Sequence, residues 1–338
     1  MKILVINIKF LGDLIVSTPG LRALRKAKPQ DEIVFLLRKG FVDVLADNPN
    51  IDRIITFDPG MKGNSGLQKF NQGIEFIKKI RDEKFDVVIA LHPGDRIAFW
   101  SWFSGAKLSI APRKQSFGFL FNKPVYVEED SISYLEYYNK IFESYIGKID
   151  STKTEFFIPE KDETWADNFL ADSNVKTDNI LIGIHPGASE PTKIWQSKNF
   201  VELINRLREN ENIKVLLIEG PQDKNVFEEI KDKLDNQDFI LFQSTCITKT
   251  AALIRKCNLF ITHDTGTRHL SVAVETPVLA LLPEDNLKYW NFYNQNDLHY
   301  YLIGKRYIPD QNSGGNAFLD GITVDEVYGK ACEILKLW

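Results

Sequence analysis

The chain has 338 residues, more than one comfortable core holds and enough for two domains of about 150 residues each. With 43% hydrophobic and 26% charged residues it reads as ordinary globular protein, which sets aside disorder and fibre. The net charge of −4 divides unevenly into +4 over residues 1–150 and −8 over the rest, so the front half either favours an anionic partner or carries solvated surface charge.

The first run, Ile3–Ile8, is a strand rather than a signal peptide: it is short, bounded by charge and has no small-residue cleavage site. No apolar run approaches the roughly 20 residues of a membrane span. Three cysteines, Cys246, Cys257 and Cys332, without Cys-x-x-Cys spacing point away from a disulfide framework or a structural zinc site, and a reducing cytoplasm is the expected setting. Further β-rich runs follow at Glu32–Leu37, Ile54–Phe57, Val87–Leu91 and Leu108–Ile110, with helical patterns at Leu14–Ala27 and Leu67–Asp82 between them. A less regular stretch spans Pro124–Lys161. The alternation then restarts with Ile180–Ile184, Phe200–Asn210, Val215–Ile218, Phe227–Leu234, Leu259–Thr262 and Val278–Leu282. This predicts an α/β chain of two Rossmann-like, doubly wound domains, residues 1–160 and 161–338, with ligands in a cleft at the carboxyl ends of the strands.

Polar, small-residue turns stand at four of those strand ends: Lys9-Phe-Leu-Gly-Asp13, His185-Pro-Gly-Ala-Ser189, Glu219-Gly-Pro-Gln-Asp223 and Asp264-Thr-Gly266. A strand that turns through Gly into a helix leaves free N–H groups at the positive end of the helix dipole, which suits a phosphate. No strand is followed by Gly-x-Gly-x-x-Gly, and there is no Gly-x-x-x-x-Gly-Lys-Ser/Thr loop or His-Glu-x-x-His run, so a nicotinamide dehydrogenase, a kinase-like loop and a simple metal site are unsupported.

The chain resembles glycosyltransferase family 9, the ADP-heptose:lipopolysaccharide heptosyltransferases. The resemblance is carried by Gly12-Asp-Leu-Ile-Val-Ser-Thr-Pro-Gly-Leu-Arg-Ala-Leu-Arg25, Phe85-Asp-Val-Val-Ile-Ala-Leu-His92, Ile182-Gly-Ile-His-Pro-Gly-Ala-Ser189 with Lys193-Ile-Trp195, and His263-Asp-Thr-Gly-Thr-Arg-His-Leu270, and by a late Gly321-Ile-Thr-Val-Asp-Glu-Val327. It implies a GT-B architecture with acceptor on the N-terminal domain, sugar nucleotide on the C-terminal domain, and a final helix able to pack back on the N-terminal domain. It also implies an inverting transfer of a heptose or related sugar from an ADP-sugar to a lipopolysaccharide core or related acceptor, with no metal or cofactor beyond the ADP-sugar. Lipid-linked acceptor, and with it the cytoplasmic face of the inner membrane, are the implied partners; nucleic acid is not. Other nucleotide-sugar enzymes of this fold, such as epimerases, and a carbohydrate-binding protein without turnover are the alternatives; the joint presence of Asp13, Lys193 and Asp264 speaks against the second, and hydrolysis or isomerisation of the donor without acceptor would favour the first.

By that resemblance Asp13 is the catalytic base, although Asp before a helix also caps it. Lys193 pairs the leaving diphosphate or is one more exposed lysine. Gly187, Ala188, Ser189, Asp264, Thr265 and Gly266 are donor-site candidates, with Asp264 on sugar hydroxyls or at the helix cap. His269 is either a phosphate donor or a buried structural histidine. Glu219 and Gln222 stand where an acidic residue meets the ribose, with Gln222 departing from the expected Glu and a plain turn the safer reading. Gly12, His92 and Arg96 join Asp13 as acceptor-side candidates. Arg268 is a second departure and supplies extra charge to the diphosphate loop, contacts an anionic acceptor, or forms a surface salt bridge. The aromatic run Ile97–Gly105 with Phe117–Phe121 reads as a buried helix and its packing partner, the alternative being an acceptor groove or a membrane-facing surface.

Overall fold

The computed structural model describes residues 1–58, 66–114, 116–127, 132–188, 190, 193–221, 223–234, 239–284, 287–293, 298–304, 319 and 321–337, with residues 66–70 as backbone alone. The chain divides into two compact units, Met1–Thr154 and Glu155–Trp338.

In the first unit six parallel strands, β1 (Lys2–Ile6), β2 (Glu32–Arg38), β3 (Arg53–Phe57), β4 (Val87–Ala90), β5 (Leu108–Pro112) and β6 (Lys123–Val125), pair in the order β3-β2-β1-β4-β5-β6. Ile3 sits beside Ile33 on one side and Val87 on the other. Helices on both faces bury both sides of such a sheet, which is why β1, β2 and β4 read as continuous apolar runs rather than alternating ones. The helices are α1 (Leu11–Val16), α2 (Thr18–Ala27), α3 (Gly66–Asp82), α4 (Asp95–Phe103) and α5 (Tyr134–Ile146).

The expected single helix Leu14–Ala27 is two helices. It begins earlier, at Leu11, and breaks at Ser17, two residues before Pro19, whose ring removes an amide donor and forbids an uninterrupted ladder. The Ser17 and Thr18 hydroxyls close the break by donating to the Leu14 and Ile15 carbonyls at 2.7 Å. Gly20 is required here: a Cβ would stand 2.0 Å from the Phe142 ring, so α2 and α5 meet where only glycine fits. The stretch 124–161, expected to be irregular, contains α5 and the start of the next helix. Its signal is the capping box Ser133-x-x-Glu136, in which the Ser133 hydroxyl accepts the Glu136 amide and the Glu136 carboxylate accepts that of Ser133.

The second unit repeats the plan. Strands β7 (Ile180–His185), β8 (Ile213–Glu219), β9 (Ile240–Gln243), β10 (Leu259–His263), β11 (Val278–Pro283) and β12 (His299–Gly304) lie in the order β12-β11-β10-β7-β8-β9. Its helices are α6 (Glu160–Asp172), α7 (Ser197–Arg208), α8 (Lys224–Lys231), α9 (Ile247–Lys256), α10 (Gly266–Ala273), α11 (Leu287–Trp290) and α12 (Val324–Leu335). The last of these packs on α7, with Val327 and Ala331 in the same core as Phe200 and Leu203. In both sheets successive crossovers leave in opposite directions from a central strand pair, β1/β4 and β7/β10. The carboxyl ends of that pair open the crevice in which a doubly wound fold binds ligands. Among the described residues no helix is long and apolar enough to cross a membrane.

Candidate active site

The switch point of the first unit is built around Asp13. It occupies the third position of α1, not the cap itself, and its Oδ2 accepts the amide of Phe10, the residue before the helix, at 3.2 Å. Oδ1 accepts the hydroxyl of Tyr138 on α5 at 2.5 Å, and Tyr138 is wholly buried. Burial raises the Asp13 pKa above the ordinary carboxylate value, partly offset by the Tyr138 and Phe10 hydrogen bonds to the ionised form. Asn7 organises the turn: its amide donates to the Asp13 carbonyl at 3.4 Å, and its carbonyl accepts the Lys9 amide at 3.2 Å.

His92, just beyond β4, lies at the same switch point, and both its ring nitrogens are committed to backbone. Nε2 accepts the Ile8 amide at 3.2 Å, so Nδ1 carries the hydrogen and donates to the Pro93 carbonyl at 3.0 Å. Burial, with the charges of Lys9 and Arg38, lowers its pKa to about 4 and keeps it neutral. Gly12 is buried in the first turn of α1 beside Asp13. Arg96, on the first turn of α4, is exposed and stacks 4.8 Å over the Phe57 ring at the end of β3. Arg38 was not legible as a site residue: it donates to the Ile8 carbonyl and covers the Phe10 ring at 4.8 Å, holding the loop that carries Asp13.

At the switch point of the second unit, β7 ends in His185 and β10 in His263-Asp264. Lys193 Nζ lies 3.7 Å from Asp264 Oδ2 and 3.2 Å from Glu190. Asp264 Oδ1 accepts Arg268 at 2.8 Å, and Arg268, only 1% exposed, also donates to the Trp290 carbonyl. The surface salt bridge considered for Arg268 is therefore a buried one. Burial lowers the Arg268 pKa against the opposing pull of Asp264, and the guanidinium stays charged. Thr265 and Gly266 start α10 as expected. Gly187 and Ala188 lie just beyond β7, and a Cβ at Gly187 would meet the Asp223 carboxylate at 1.9 Å, so only glycine fits.

His263 fixes this loop. Its Nε2 accepts the Trp195 amide at 3.0 Å and Nδ1 donates to the Gly187 carbonyl at 3.2 Å, while burial lowers its pKa to about 4. The Trp195 indole is fully buried on Phe200 and donates to the Ile322 carbonyl at 2.8 Å. Three separated sequence blocks thus meet at Trp195, and Lys193 is carried two residues away from that anchor.

Glu219, at the end of β8, accepts Gln243 at 2.8 Å. The His269 ring lies among Trp290, Phe292 and Tyr293, its Nδ1 stands 3.1 Å from the Tyr293 hydroxyl, and burial pushes its pKa well below the usual value. Of its two readings the geometry fits the buried histidine. Ser189 and Gln222 lie outside the described residues. Among the described residues no group of three or more His, Cys, Asp or Glu side chains could hold a metal ion. In the aromatic segment, Ile97, Trp100 and Phe121 are buried as expected, whereas Trp102 is 54% and Phe119 78% exposed.

A model of glycosyltransferase family 9 (heptosyltransferase) matches residues 74–313. Lipopolysaccharide heptosyltransferase 3 of Escherichia coli (strain K12) is 21% identical over 315 residues, which cover 90% of this chain and 89% of that one. The crystal structure of the glycosyl transferase family 9 protein from Veillonella parvula DSM 2008 superposes with a TM-score of 0.84 at 23% identity, covering 100% of this chain and 98% of that chain. The structure of E. coli ADP-heptose lps heptosyltransferase II superposes with a TM-score of 0.79 at 19% identity, covering 100% and 99%. Likeness at this identity shows a shared fold, the GT-B arrangement of two Rossmann-like units.

Proposed function

Because the chain belongs to glycosyltransferase family 9, we propose that it moves a heptose or related sugar from an ADP-linked donor to a lipopolysaccharide core or related glycan. ADP-heptose and lipopolysaccharide enter this reading from the relatives whose names contain them. The observation that carries it is the Lys193–Asp264–Arg268 cluster at the head of α10. A lone carboxylate would repel a diphosphate. Arg268 and Lys193 offset Asp264, and Glu190 on Lys193 brings the four side chains to no net charge, so a departing diphosphate meets the first-turn amides of α10 and the Lys193 ammonium rather than a bare carboxylate. In the proposed scheme Lys193 and those amides take up the charge growing on the leaving group, and Asp264 meets sugar hydroxyls. Asp13 removes the proton of the acceptor hydroxyl, which attacks the anomeric carbon from the opposite side and inverts it.

Isothermal titration with ADP, UDP, GDP and CMP tests the donor site: ADP binds selectively, and Lys193→Ala weakens it by about tenfold or more, one charge-assisted contact. Equal binding of all four, or of none, overturns the assignment.

A peripheral contact with the inner membrane belongs to the same reading. Residues 96–127 contain Arg96, Lys107, Arg113, Lys114 and Lys123 and no acidic residue, interleaved with the exposed Trp102 and Phe119. Cations beside exposed aromatics suit an anionic lipid surface. Flotation with phosphatidylglycerol vesicles is expected to recover the protein, and Trp102→Ser with Phe119→Ser to lose it; equal recovery of the variant rules this surface out.

A further inference from the structure

A chain of polar groups runs beneath the head of α10, and the scheme above does not use it. Asp223, buried in the turn between β8 and α8, accepts the Gly220 amide at 3.0 Å and His185 Nε2 at 2.9 Å. A carboxylate only accepts, so Nε2 carries the hydrogen. Burial opposes ionisation of Asp223, but the hydrogen bonds from His185 and from the Gly220 amide hold its pKa below the ordinary value. On the far side of the ring, His185 Nδ1 stands 3.3 Å from the Thr267 hydroxyl and 3.4 Å from that of Thr262. The three hydroxyls of Thr262, Thr265 and Thr267 close a triangle: 2.8 Å between Thr265 and Thr267, 3.0 Å between Thr262 and Thr267, and 3.4 Å between Thr262 and Thr265. Thr265 occupies the cap position of α10, yet its side chain makes no capping bond and is turned to the other hydroxyls instead.

The direction of these bonds depends on one proton. With Nδ1 bare, a hydroxyl must donate to it, because a buried acceptor left unmet is costly. When Thr267, the nearer of the two hydroxyls, is that donor and Thr265 donates to Thr267, the O–H bonds run inward and Thr265 turns lone pairs outward. That polarity repels an anion. A proton on Nδ1 reverses the chain: His185 donates to Thr267, Thr267 passes its hydrogen on, and the Thr265 O–H is released to donate outward. Asp223 behind the ring supplies the countercharge. Among the described residues, His263 from β10 also faces this pair, and it is neutral and bonded to Gly187 and Trp195.

We propose that Asp223, His185, Thr267 and Thr265 form a reversible relay in which a diphosphate docking at the head of α10 draws one proton from solvent onto His185 Nδ1, so that Thr265 donates to its phosphate oxygens. The inference rests on the donor-site reading given above. No bond to carbon changes; the proton returns to solvent when the diphosphate leaves. His185 acts through Thr265 and Thr267 and is a positioning residue.

The test is titration of the full chain with ADP at pH 7.5 in Tris and in HEPES, whose ionisation heats differ, so that the difference counts protons. A phosphate with a second pKa of about 6 is already ionised there and contributes little. The relay predicts net proton uptake when ADP binds. That uptake disappears in His185→Asn, which keeps a polar atom near Nδ1 but cannot ionise, and in Thr267→Val, and it survives in Thr267→Ser. A circular-dichroism melt of each variant establishes that it is folded. Equal heats in the two buffers for the unsubstituted protein, or undiminished uptake in His185→Asn, overturn the relay while leaving the donor site standing. No ADP binding by the unsubstituted protein overturns the donor site and the relay with it.

Discussion

Asp13 illustrates how a residue that stabilises a helix end can also be chemically poised. One carboxylate oxygen closes the amide of Phe10, the ordinary task of an acidic residue in a first turn, and the other is held by a buried phenol. The surrounding apolar matter favours the protonated acid, and the two hydrogen bonds favour the ion. Removing the Tyr138 hydroxyl therefore pushes the Asp13 pKa further up. A hydrogen bond to a charged acceptor is worth about 1.5–3 kcal/mol, so the acid limb of kcat/KM in Tyr138→Phe should move to higher pH by about one to two units. A pH–rate profile measures this, and an unmoved limb would show that Tyr138 does not tune the base. Asp13 was legible from its place after a strand and from its sequence block. Tyr138 was not, because it lies 125 residues away and reaches Asp13 only through the packing of α5. Arg268 was visible as a departure, but its burial against Asp264 could not be read from charge and spacing alone.

At the scale of elements, the sequence located most of the strands, because parallel strands buried on both faces leave unbroken apolar runs. It misplaced the first helix, where Pro19 decides the break, and passed over α5, whose capping box was the available signal. It marked His92 as an acceptor-side candidate and His263 as part of a sequence block, but not the part each plays in fastening a loop to a strand end. His92 ties the end of β4 to Ile8, and His263 ties the end of β10 to Gly187 and Trp195. Each is neutral in the folded state, with burial the main cause of a pKa near 4. A base whose folded pKa is depressed contributes stability above its ordinary value, here about 6.5, and that contribution is lost as pH falls toward 4. Unfolding should thus take up protons between about pH 6.5 and 4. Each histidine accounts for stability of the order of 3 kcal/mol at neutral pH. Denaturant melts at pH 7 and 4.5 measure this, with His263→Asn reducing the difference; equal stability at the two pH values would contradict the assignment of these rings as buried neutral bases.

For the whole molecule, two sheets of the same strand order have equivalent switch points at the ends of β1, β4, β7 and β10, and the four sequence blocks that carry the resemblance lie there. The alternation of strands and helices made the two-fold repeat of the plan legible. The partners of each site residue were not, since they are set by contacts such as Trp195 with Ile322, more than a hundred residues apart. The central claim is that the first unit supplies a base and the second a site for the leaving diphosphate. Its most direct test is ADP release from ADP-heptose, with and without heptose-deficient lipopolysaccharide core, by the unsubstituted protein and by Asp13→Asn. The account predicts acceptor-dependent release that falls by about a hundredfold or more in Asp13→Asn while ADP binding is unchanged. Release that is independent of acceptor, or that survives in Asp13→Asn to within a few-fold, would contradict it.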